Sequence, residues 1–277
     1  MINKNISNQQ NAVKFRKAVY YRRLVRTLAF ILAVFFLSGE SSFAIKAEIG
    51  LHGGLSIPNL HGGGTIQSEG YSSRKGPFFG LFTDIPLTRR FSLHVEVNYC
   101  SQGGKRNGMQ PIFADQMSGL GLPPGMTLFA NFKNEAIIDY LEIPLMIKYS
   151  WGNNLRFFID AGPYVSFRVR AKTVTRGSSS LYLDSMGTPF LLPPDYTPVP
   201  AISFDANTSI VNDINSFNVG VCGGAGAEKY FGPGKMIIGV HFSAGFSSIQ
   251  ADTEANGKNK TGAVVVYMGY SFLLKKE

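Results

Sequence analysis

The side chains best suited to metal or acid–base chemistry are the four histidines, His52, His61, His94 and His241. His52, His94 and His241 lie in segments where apolar and polar residues alternate, and all three fall on the polar side of that alternation. A metal centre or an acid–base pair would need further ligands or a partner group. No histidine has one nearby in the sequence, so polar packing within a β-structure is the favoured interpretation. We therefore predict no metal and no cofactor.

Two further patterns could indicate catalysis or phosphate binding. The segments "RGSSSLYLDS" and "DTEANG" contain the serines and aspartates that a hydrolase or acyltransferase uses, but this composition is also typical of solvated loops. The glycine-rich segments "GGLSIPNLHGGG" and "GVCGGAGAEKYFGPG" lack the strand–loop–helix context of a phosphate-binding loop. The sequence therefore predicts a protein that is not an enzyme.

The elements that would position the polar residues are β-strands. In "FSLHVEVNYCSQ" (91–102) every second residue is apolar, and a period of two over eight or more residues is typical of a half-buried strand. The same alternation recurs along the chain and predicts eight strands, near residues 48–57, 79–86, 91–102, 139–150, 155–170, 216–228, 236–246 and 263–274.

The connections between these strands alternate between short and long. The short ones, "PLTRR", "WGNN" and "FGPGK", are rich in the Pro, Gly and Asn of tight turns. The long ones cover residues 58–76, 103–136, 172–213 and 249–260. Strict alternation of this kind is typical of outer-membrane barrels, which have short periplasmic turns and long extracellular loops.

The two faces of the strands differ in composition. One face is apolar and aromatic, as expected for side chains in contact with lipid. The other face is predicted to form the polar interior of the barrel and holds Glu48, His52, His94, Glu96, Glu142, Lys148, Arg156, Asp160, Arg168, Arg170, Glu228 and His241. We predict an all-β fold, an eight-stranded antiparallel up-and-down transmembrane β-barrel whose lumen is filled by its own side chains.

The first 44 residues have the pattern of a secretory signal peptide. A basic stretch ends at Arg26, the apolar run "LAFILAVFFL" follows, and small residues at Ser42 and Ala44 suit signal peptidase, which we expect to cleave after Ala44. These 44 residues carry +6 of the net charge of +9. Residues 45–277, the predicted barrel domain, are therefore close to balanced, and no nucleic-acid partner is predicted.

Several local features of the barrel can also be predicted. Cys100 and Cys222 should be free, buried thiols, because their strands lie on opposite sides of an eight-stranded ring. Glu142 should pair with an inward base such as Arg156 or Arg168, and Pro144 should cause a bulge or a local break. Glycines on one strand should relieve crowding in the lumen or let the sheet curve; they are Gly220, Gly224 and Gly226.

Two long connections are unusually apolar for solvated loops. The segments "MQPIFADQMSGLGLPPGMTLFANF" and "GTPFLLPPDYTPVPAISF" should either fold over the barrel mouth as a cap or form a surface that binds a partner. The two interpretations are compatible.

Four segments, "GLHGGLSIPNL", "KGPFFGLFTDIPLTRRFSLHVEVNYCSQGGKR", "DYLEIPLMIKYS" and "FIDAGPYVSFRVRAK", resemble the PorT-like, porin-family outer-membrane β-barrel proteins. The resemblance implies location in the outer membrane of a Gram-negative bacterium, and one member of that family serves protein secretion. The last strand also resembles a barrel-assembly signal, with Gly269, Phe272 and Leu274 suitably spaced, although "KKE" replaces the usual terminal aromatic residue.

These observations leave three hypotheses for function. The first is a non-catalytic barrel that acts through its loops in a structural, surface-binding or secretion-accessory role, with outer-membrane lipid and other envelope or secretion proteins as partners. The second is a porin-like channel for small solutes. The third is a soluble, exported, lipocalin-like binder.

Overall fold

The computed structural model describes residues 47–66, 68–113, 117, 125–192 and 195–273. The predicted signal peptide, its cleavage site after Ala44, and Leu274 of the predicted assembly signal lie outside the described residues. The chain divides into two units, residues 1–44 and 45–277, and the second unit is the one described below. Its strands are β1 (Glu48–Gly63), β2 (Gly76–Pro86), β3 (Phe91–Phe113), β4 (Thr127–Gly152), β5 (Leu155–Arg176), β6 (Ser178–Ser179), β7 (Leu191–Leu192), β8 (Thr197–Pro198), β9 (Ile202–Ser203), β10 (Ala206–Ser209), β11 (Phe217–Phe231), β12 (Gly234–Gly245) and β13 (Lys258–Leu273).

Eight of these strands form a closed antiparallel ring. Its order is β1–β2–β3–β4–β5–β11–β12–β13, and β13 pairs back with β1 from Glu48 opposite Leu273 to Gly63 opposite Lys258. The predicted eight-stranded, antiparallel, up-and-down barrel is therefore confirmed. Among the described residues, none forms a helix that is long and apolar enough to cross a bilayer.

The two ends of the barrel are built differently. At one end, here called the turn end, β2–β3, β4–β5 and β11–β12 are joined by turns of two to four residues between the strand bounds. At the other end, the loop end, β3, β4 and β5 continue as a long extension of the wall, because they have 23, 26 and 22 residues. A strand that crosses a membrane needs only about 9–11 residues.

This extension corrects the predicted loops. Residues 103–136 were expected to be a connection, yet β3 runs to Phe113 and β4 begins at Thr127, with Gln102–Phe113 paired to Thr127–Ile138. Likewise, the predicted loop 172–213 contains the end of β5 and the short strands β6 to β10, of which β10 pairs with Lys172–Thr175. Alternation did not reveal the continuation of β3 because residues 101–108, "SQGGKRNG", include no large apolar side chain on either face.

The ladder is irregular at two places on β4. At Pro144, the pairing between β3 and β4 is interrupted and resumes with the register unchanged, so the local break predicted there is confirmed. The register shift lies elsewhere, between Asp139 and Tyr140, which pair with Arg170 and Arg168 of β5. Val169 is the extra residue, and it reverses the direction of every β5 side chain beyond it.

The barrel wall is apolar on its outer surface. On β3 the outward residues run from Phe91 to Tyr99, and on β4 from Leu141 to Tyr149, with Leu145 and Ile147 exposed. Eight residues of a strand span roughly 27 Å. At a strand tilt of about 35–45° this corresponds to a height of about 20 Å, close to the apolar band about 25 Å tall that membrane barrels present to lipid.

Two apolar clusters lie at the loop end. The mouth cluster combines inward residues of β1, β4 and β5 with residues of three loops; it consists of Leu60, Tyr71, Ala136, Ile138, Tyr140, Ala171, Ile210, Ile214 and Ile249. Farther out, the cap cluster joins the β3–β4 extension to residues 181–204 and consists of Ile112, Met117, Met126, Leu128, Ala130, Phe132, Leu181, Phe190, Leu192, Val199, Ile202 and Phe204. We refer to the second cluster and the segments that carry it as the cap.

Candidate functional site

The lumen of the barrel holds most of the polar residues singled out in the sequence. Nine of the twelve are buried: Glu48, His52, His94, Glu96, Glu142, Lys148, Asp160, Glu228 and His241. Arg156 and Arg168 are half-buried, and Arg170 is exposed. Strand alternation places the buried residues inside because β-strand side chains point to opposite faces in turn.

At the turn end, the lumen is closed by a network of ion pairs. Lys148 Nζ donates to Asp84 Oδ2 at 2.9 Å and to Glu228 Oε2 at 3.0 Å. Lys235 Nζ donates to Glu48 Oε1 at 2.5 Å and lies 3.5 Å from Glu228 Oε1. These contacts join β1, β2, β4, β11 and β12 across the barrel, and each buried ammonium is matched by two carboxylates.

Two members of this network were missed in the sequence. Lys235 was assigned to the turn "FGPGK", although its odd number continues the inward pattern of Gly239, His241 and Ser243. Asp84 lies on β2, for which no inward face was assigned. Extending the β12 pattern by one residue would have found Lys235, and assigning the two faces of residues 79–86 would have found Asp84.

In the middle of the lumen, histidines and carboxylates form a chain of hydrogen bonds. His94 contacts Asp84 Oδ1 through Nδ1 at 2.6 Å and Glu96 Oε1 through Nε2 at 2.7 Å. Asn98 Nδ2 donates to Glu96 Oε2 at 2.5 Å, and His52 Nε2 lies 2.7 Å from Asn98 Oδ1. This hydrogen-bond chain continues the ion-pair network toward the loop end through Asp84. One connected set of polar contacts therefore extends from the turn end to the middle of the lumen.

His241 contacts the chain from the opposite wall. Its Nδ1 lies 3.9 Å from Glu96 Oε2, its Nε2 lies 3.5 Å from Asp160 Oδ1, and the hydroxyl of Tyr267 is 3.4 Å from Nε2. Within the described ranges, no three His, Cys, Asp or Glu side chains are arranged to hold a metal ion. His94 and His241 are partners of buried carboxylates in this structure, whereas His52 contacts Asn98.

Aromatic rings fill the space that the polar network leaves. Phe78, Phe82, Phe158 and Tyr267 belong to one buried cluster, and the ring of His52 stacks on Phe82 with centroids 5.3 Å apart. A polar cavity of about 80 Å³ lies at the turn end, lined by residues of the ion-pair network. Pockets for small molecules are usually about 300–1,000 Å³, so this cavity is too small for one.

Glycines make room for these side chains. A β-carbon at Gly224 would collide with the ring of His241, one at Gly226 with Phe158, and one at Gly220 with Tyr164. The predicted role of these glycines in relieving crowding is therefore confirmed. Both cysteines are free and buried, as predicted.

Three predictions about charged residues were wrong. Glu142 has no ion pair with Arg156 or Arg168: Arg156 Nη1 lies 3.5 Å from Glu228 Oε1, and Arg168 donates to the backbone carbonyls of Val211 and Ile214. Glu142 forms no ion pair with any other residue that the structure describes. The partner depends on how far each residue lies along the barrel axis, which parity does not specify.

Arg170 is the third correction, because its side chain points away from the lumen. It lies just beyond the extra residue Val169, so its direction is reversed. Its guanidinium donates from Nε to Asp139 Oδ2 at 2.7 Å and is 54% exposed on the outer surface. Asp139 also faces outward, yet it is fully buried beneath Arg170 and Ser101, whose hydroxyl donates to Asp139 Oδ1 at 2.6 Å.

Comparison with known proteins agrees with this architecture. Residues 38–251 match the family described as "Outer membrane protein beta-barrel domain". The chain belongs to this family. As an outer-membrane β-barrel protein, it is located in the outer membrane of a Gram-negative bacterium, and the hypothesis of a soluble exported binder is wrong. By the general rule for such barrels, the turn end faces the periplasm and the loop end faces the cell exterior.

Solved structures of other outer-membrane proteins are similar in fold. The attachment invasion locus protein Ail of Yersinia pestis is 12% identical with a TM-score of 0.37, covering 82% of this chain and 100% of that one. Neisserial surface protein A is 9% identical with a TM-score of 0.35, covering 83% and 97%. OprG of Pseudomonas aeruginosa is 12% identical with a TM-score of 0.35, covering 82% and 97%. No curated protein matches the sequence significantly. Similarity this low carries no argument about what this outer-membrane β-barrel binds.

Proposed function

We propose that this outer-membrane β-barrel has no catalytic role and acts at the cell surface through its cap, by binding a protein partner. The observation that carries the proposal is the contrast between a lumen blocked along its length and a cap that is packed and displayed outside. The polar interior residues then serve to hold the barrel closed.

The closed lumen argues against transport. The ion pairs of Lys148 and Lys235 bridge the wall at the periplasmic end, and the ring of His52 lies 5.0 Å from that of Phe78 and 5.3 Å from that of Tyr267. At the extracellular end the mouth cluster buries Ile138 and Tyr140 almost completely. A solute would have to displace the ion pairs, the aromatic rings and the mouth cluster in turn.

The cap has the packing of a folded unit. Leu128 and Ala130 are fully buried in it, and Phe132 stacks on Phe204 with ring centroids 4.7 Å apart. Backbone hydrogen bonds in both directions between Phe129 and Tyr182 add residues 181–183 to the wall extension. A cap held in this way can present a fixed surface.

Part of that surface is apolar and exposed. Leu183, Leu191 and Tyr196 are 47%, 40% and 70% exposed, and Met186 is 90% exposed. Met186 is held out by a turn in which Asp184 accepts hydrogen bonds from the backbone N–H of Met186 and from the hydroxyl of Thr188. Ordered, exposed apolar side chains of this kind are typical of protein-binding surfaces.

A photo-crosslinking residue at position 186 in intact cells tests the proposal. We expect a discrete crosslinked protein at position 186, and none at the matched control position 254, which lies in the exposed turn between β12 and β13. Equal products at both positions, or none at 186, would contradict binding through the cap.

The porin-like alternative is tested by conductance in planar bilayers. We expect no steady openings from the purified barrel, because ion pairs, aromatic rings and the mouth cluster occupy the lumen at successive heights. Steady single-channel openings would contradict the proposal and support transport of small solutes.

A secretion-accessory role is a second candidate, favoured by the resemblance of "DYLEIPLMIKYS" and neighbouring segments to PorT-like proteins. It predicts that deletion of the gene depletes specific proteins from the culture medium. An unchanged set of secreted proteins would remove this candidate and leave the surface-binding proposal intact.

A further inference from the structure

The outer surface of β3, β4 and β5 changes from apolar to charged at one level. The last apolar row across these strands is Tyr99, Leu141 and Phe167, which lie opposite one another in the ladder. The next outward positions are Ser101, Asp139 and Arg170. This level marks the extracellular boundary of the lipid-facing band on this side of the barrel.

Just above the boundary, charged side chains are fixed in place on the outside of the wall. Arg74, which is almost fully buried, crosses β3 beside Gly103 and donates to Ser101 Oγ at 3.0 Å and to Glu135 Oε1 at 2.7 Å. Ser101 in turn contacts Asp139, which holds Arg170. The guanidinium of Arg170 is therefore oriented before any ligand arrives, and part of it remains exposed.

Two lysines extend this surface without carboxylate partners. Counted along the outward positions of β4, Arg170 lies opposite Asp139, Lys172 opposite the next outward residue, and Lys105 opposite the one after that. Glu135 already pairs with Arg74. Among the described residues, no carboxylate oxygen lies within 4.0 Å of the Nζ atom of either lysine. Arg170, Lys172 and Lys105 thus form a basic patch. It starts one same-face repeat, two residues or roughly 7 Å along the strand, beyond the apolar band.

We propose that this basic patch binds the phosphate groups of an anionic glycolipid of the outer leaflet, with Arg170, Lys172 and Lys105 as its direct contacts. The patch is continuous with the apolar band, so one lipid could place its chains on Leu141 and Phe167 and its phosphate on the bases. Guanidinium and ammonium groups donate charge-assisted hydrogen bonds to phosphate. A soluble polyanion fits this position less well, because it would gain nothing from the adjoining apolar surface.

The chain provides a matched control on the same surface. Lys133 and Arg176 lie opposite each other in the ladder, also face outward, and are one row farther from the membrane than Lys105. K105Q/K172Q and K133Q/R176Q each remove two positive charges from one face. Neither variant disturbs Arg170, whose loss would leave the buried Asp139 without its cation.

Binding of three probes to the purified full-length barrel in neutral detergent tests the proposal: bisphosphorylated lipid A, dephosphorylated lipid A and inorganic phosphate. Native mass spectrometry measures retained lipid, and heat-modifiable gel migration verifies folding. We expect a clear preference for bisphosphorylated lipid A. A lysine near an anionic surface contributes about fivefold in affinity, so K105Q/K172Q should weaken binding by about 25-fold, and K133Q/R176Q by less than about fivefold.

Each other outcome overturns the proposal. Equal binding of the two lipids would exclude phosphate recognition, and unchanged binding by K105Q/K172Q would exclude the patch. An equal loss in K133Q/R176Q would indicate general attraction of polyanions, without a site at the boundary. Displacement of lipid A by an equal concentration of inorganic phosphate would identify free phosphate as the ligand.

Discussion

The lumen and the cap are packed with opposite kinds of inward side chain, charged in the lumen and apolar in the cap, and β4 contributes to both. Within the membrane its inward residues include the buried charges Lys148 and Glu142, while Ile147 and Leu145 face outward. Above the boundary the pattern is largely exchanged. Apart from Asn134, the inward residues from Tyr140 to Leu128 are apolar, and the outward ones include Asp139, Glu135 and Lys133. The exchange takes place between residues 139 and 141.

This difference reflects the solvent on the outer side of the wall. Lipid stabilises apolar side chains on the outside, so the charged ones are buried inside, where they must be paired. Where the strand enters water, apolar burial is again favourable, and the inside becomes an ordinary hydrophobic core. Loss of a lumen contact should therefore affect the ring, whereas loss of a cap contact should affect the surface that the ring supports.

The largest effect is expected from Lys148→Met in the lumen. The substitution removes the ammonium group that donates hydrogen bonds to both Asp84 and Glu228. Removing one partner of a buried ion pair costs about 3–5 kcal/mol. Urea unfolding in lipid vesicles measures the change in the free energy of unfolding. Lys133→Met, an exposed lysine on the same strand, is the control and should have little effect. Equal stability of the two variants would show that the network does not hold the barrel closed.

Leu128→Ala should separate the cap from the ring. Leu128 is fully buried in the cap cluster, and a leucine-to-alanine change in such a core costs about 2–5 kcal/mol. We expect faster cleavage of the cap by added protease, while heat-modifiable migration of the barrel stays unchanged. Loss of that migration would mean that the cap and the ring fold as one unit.

Two buried carboxylates in the lumen should respond differently to neutralisation. Glu228→Gln removes the negative charge shared by Lys148, Lys235 and Arg156 and should cost about 2–3 kcal/mol. Glu142→Gln removes a charge that has no ion pair among the described residues, so its effect should stay below about 1 kcal/mol. The same urea measurement compares them, and a larger loss for Glu142 would reveal a partner that the contacts above do not include.

The smallest effect concerns the pH response of the cap turn. Hydrogen bonds from Thr188 lower the pKa of Asp184 below its usual 3.8. Their contribution to the stability of the folded turn is therefore complete above the unfolded-state pKa, and it is lost as the pH falls through the lower, folded-state pKa. The amide NMR shifts of Met186 and Thr188 should move together on acidification, and these joint movements should disappear in D184N. Unchanged shifts down to pH 2 in the parent protein would contradict this account of the turn.

The sequence predicted the ring well because the signal it uses is local. Alternation along "FSLHVEVNYCSQ" and "DYLEIPLMIKYS" placed Glu96, Asn98, Glu142 and Lys148 on one face, and the structure has all four buried in the lumen. The cap was harder to predict, since glycines at 103, 104 and 108 obscure the continuation of β3. The alternation of short and long connections nevertheless indicated which end would carry it.

By itself, therefore, the sequence determined the strand number, the two faces and the end of the barrel that bears the loops, since these follow from the period of two and from turn residues. Only the tertiary structure decided which charges meet. Lys148 pairs with Glu228, 80 positions away, and Lys235 with Glu48, 187 positions away, because ring closure and strand register set their heights in the lumen. It also decided that Arg170 faces outward, since one extra residue in a ladder reverses every side chain beyond it and leaves no mark in the alternation.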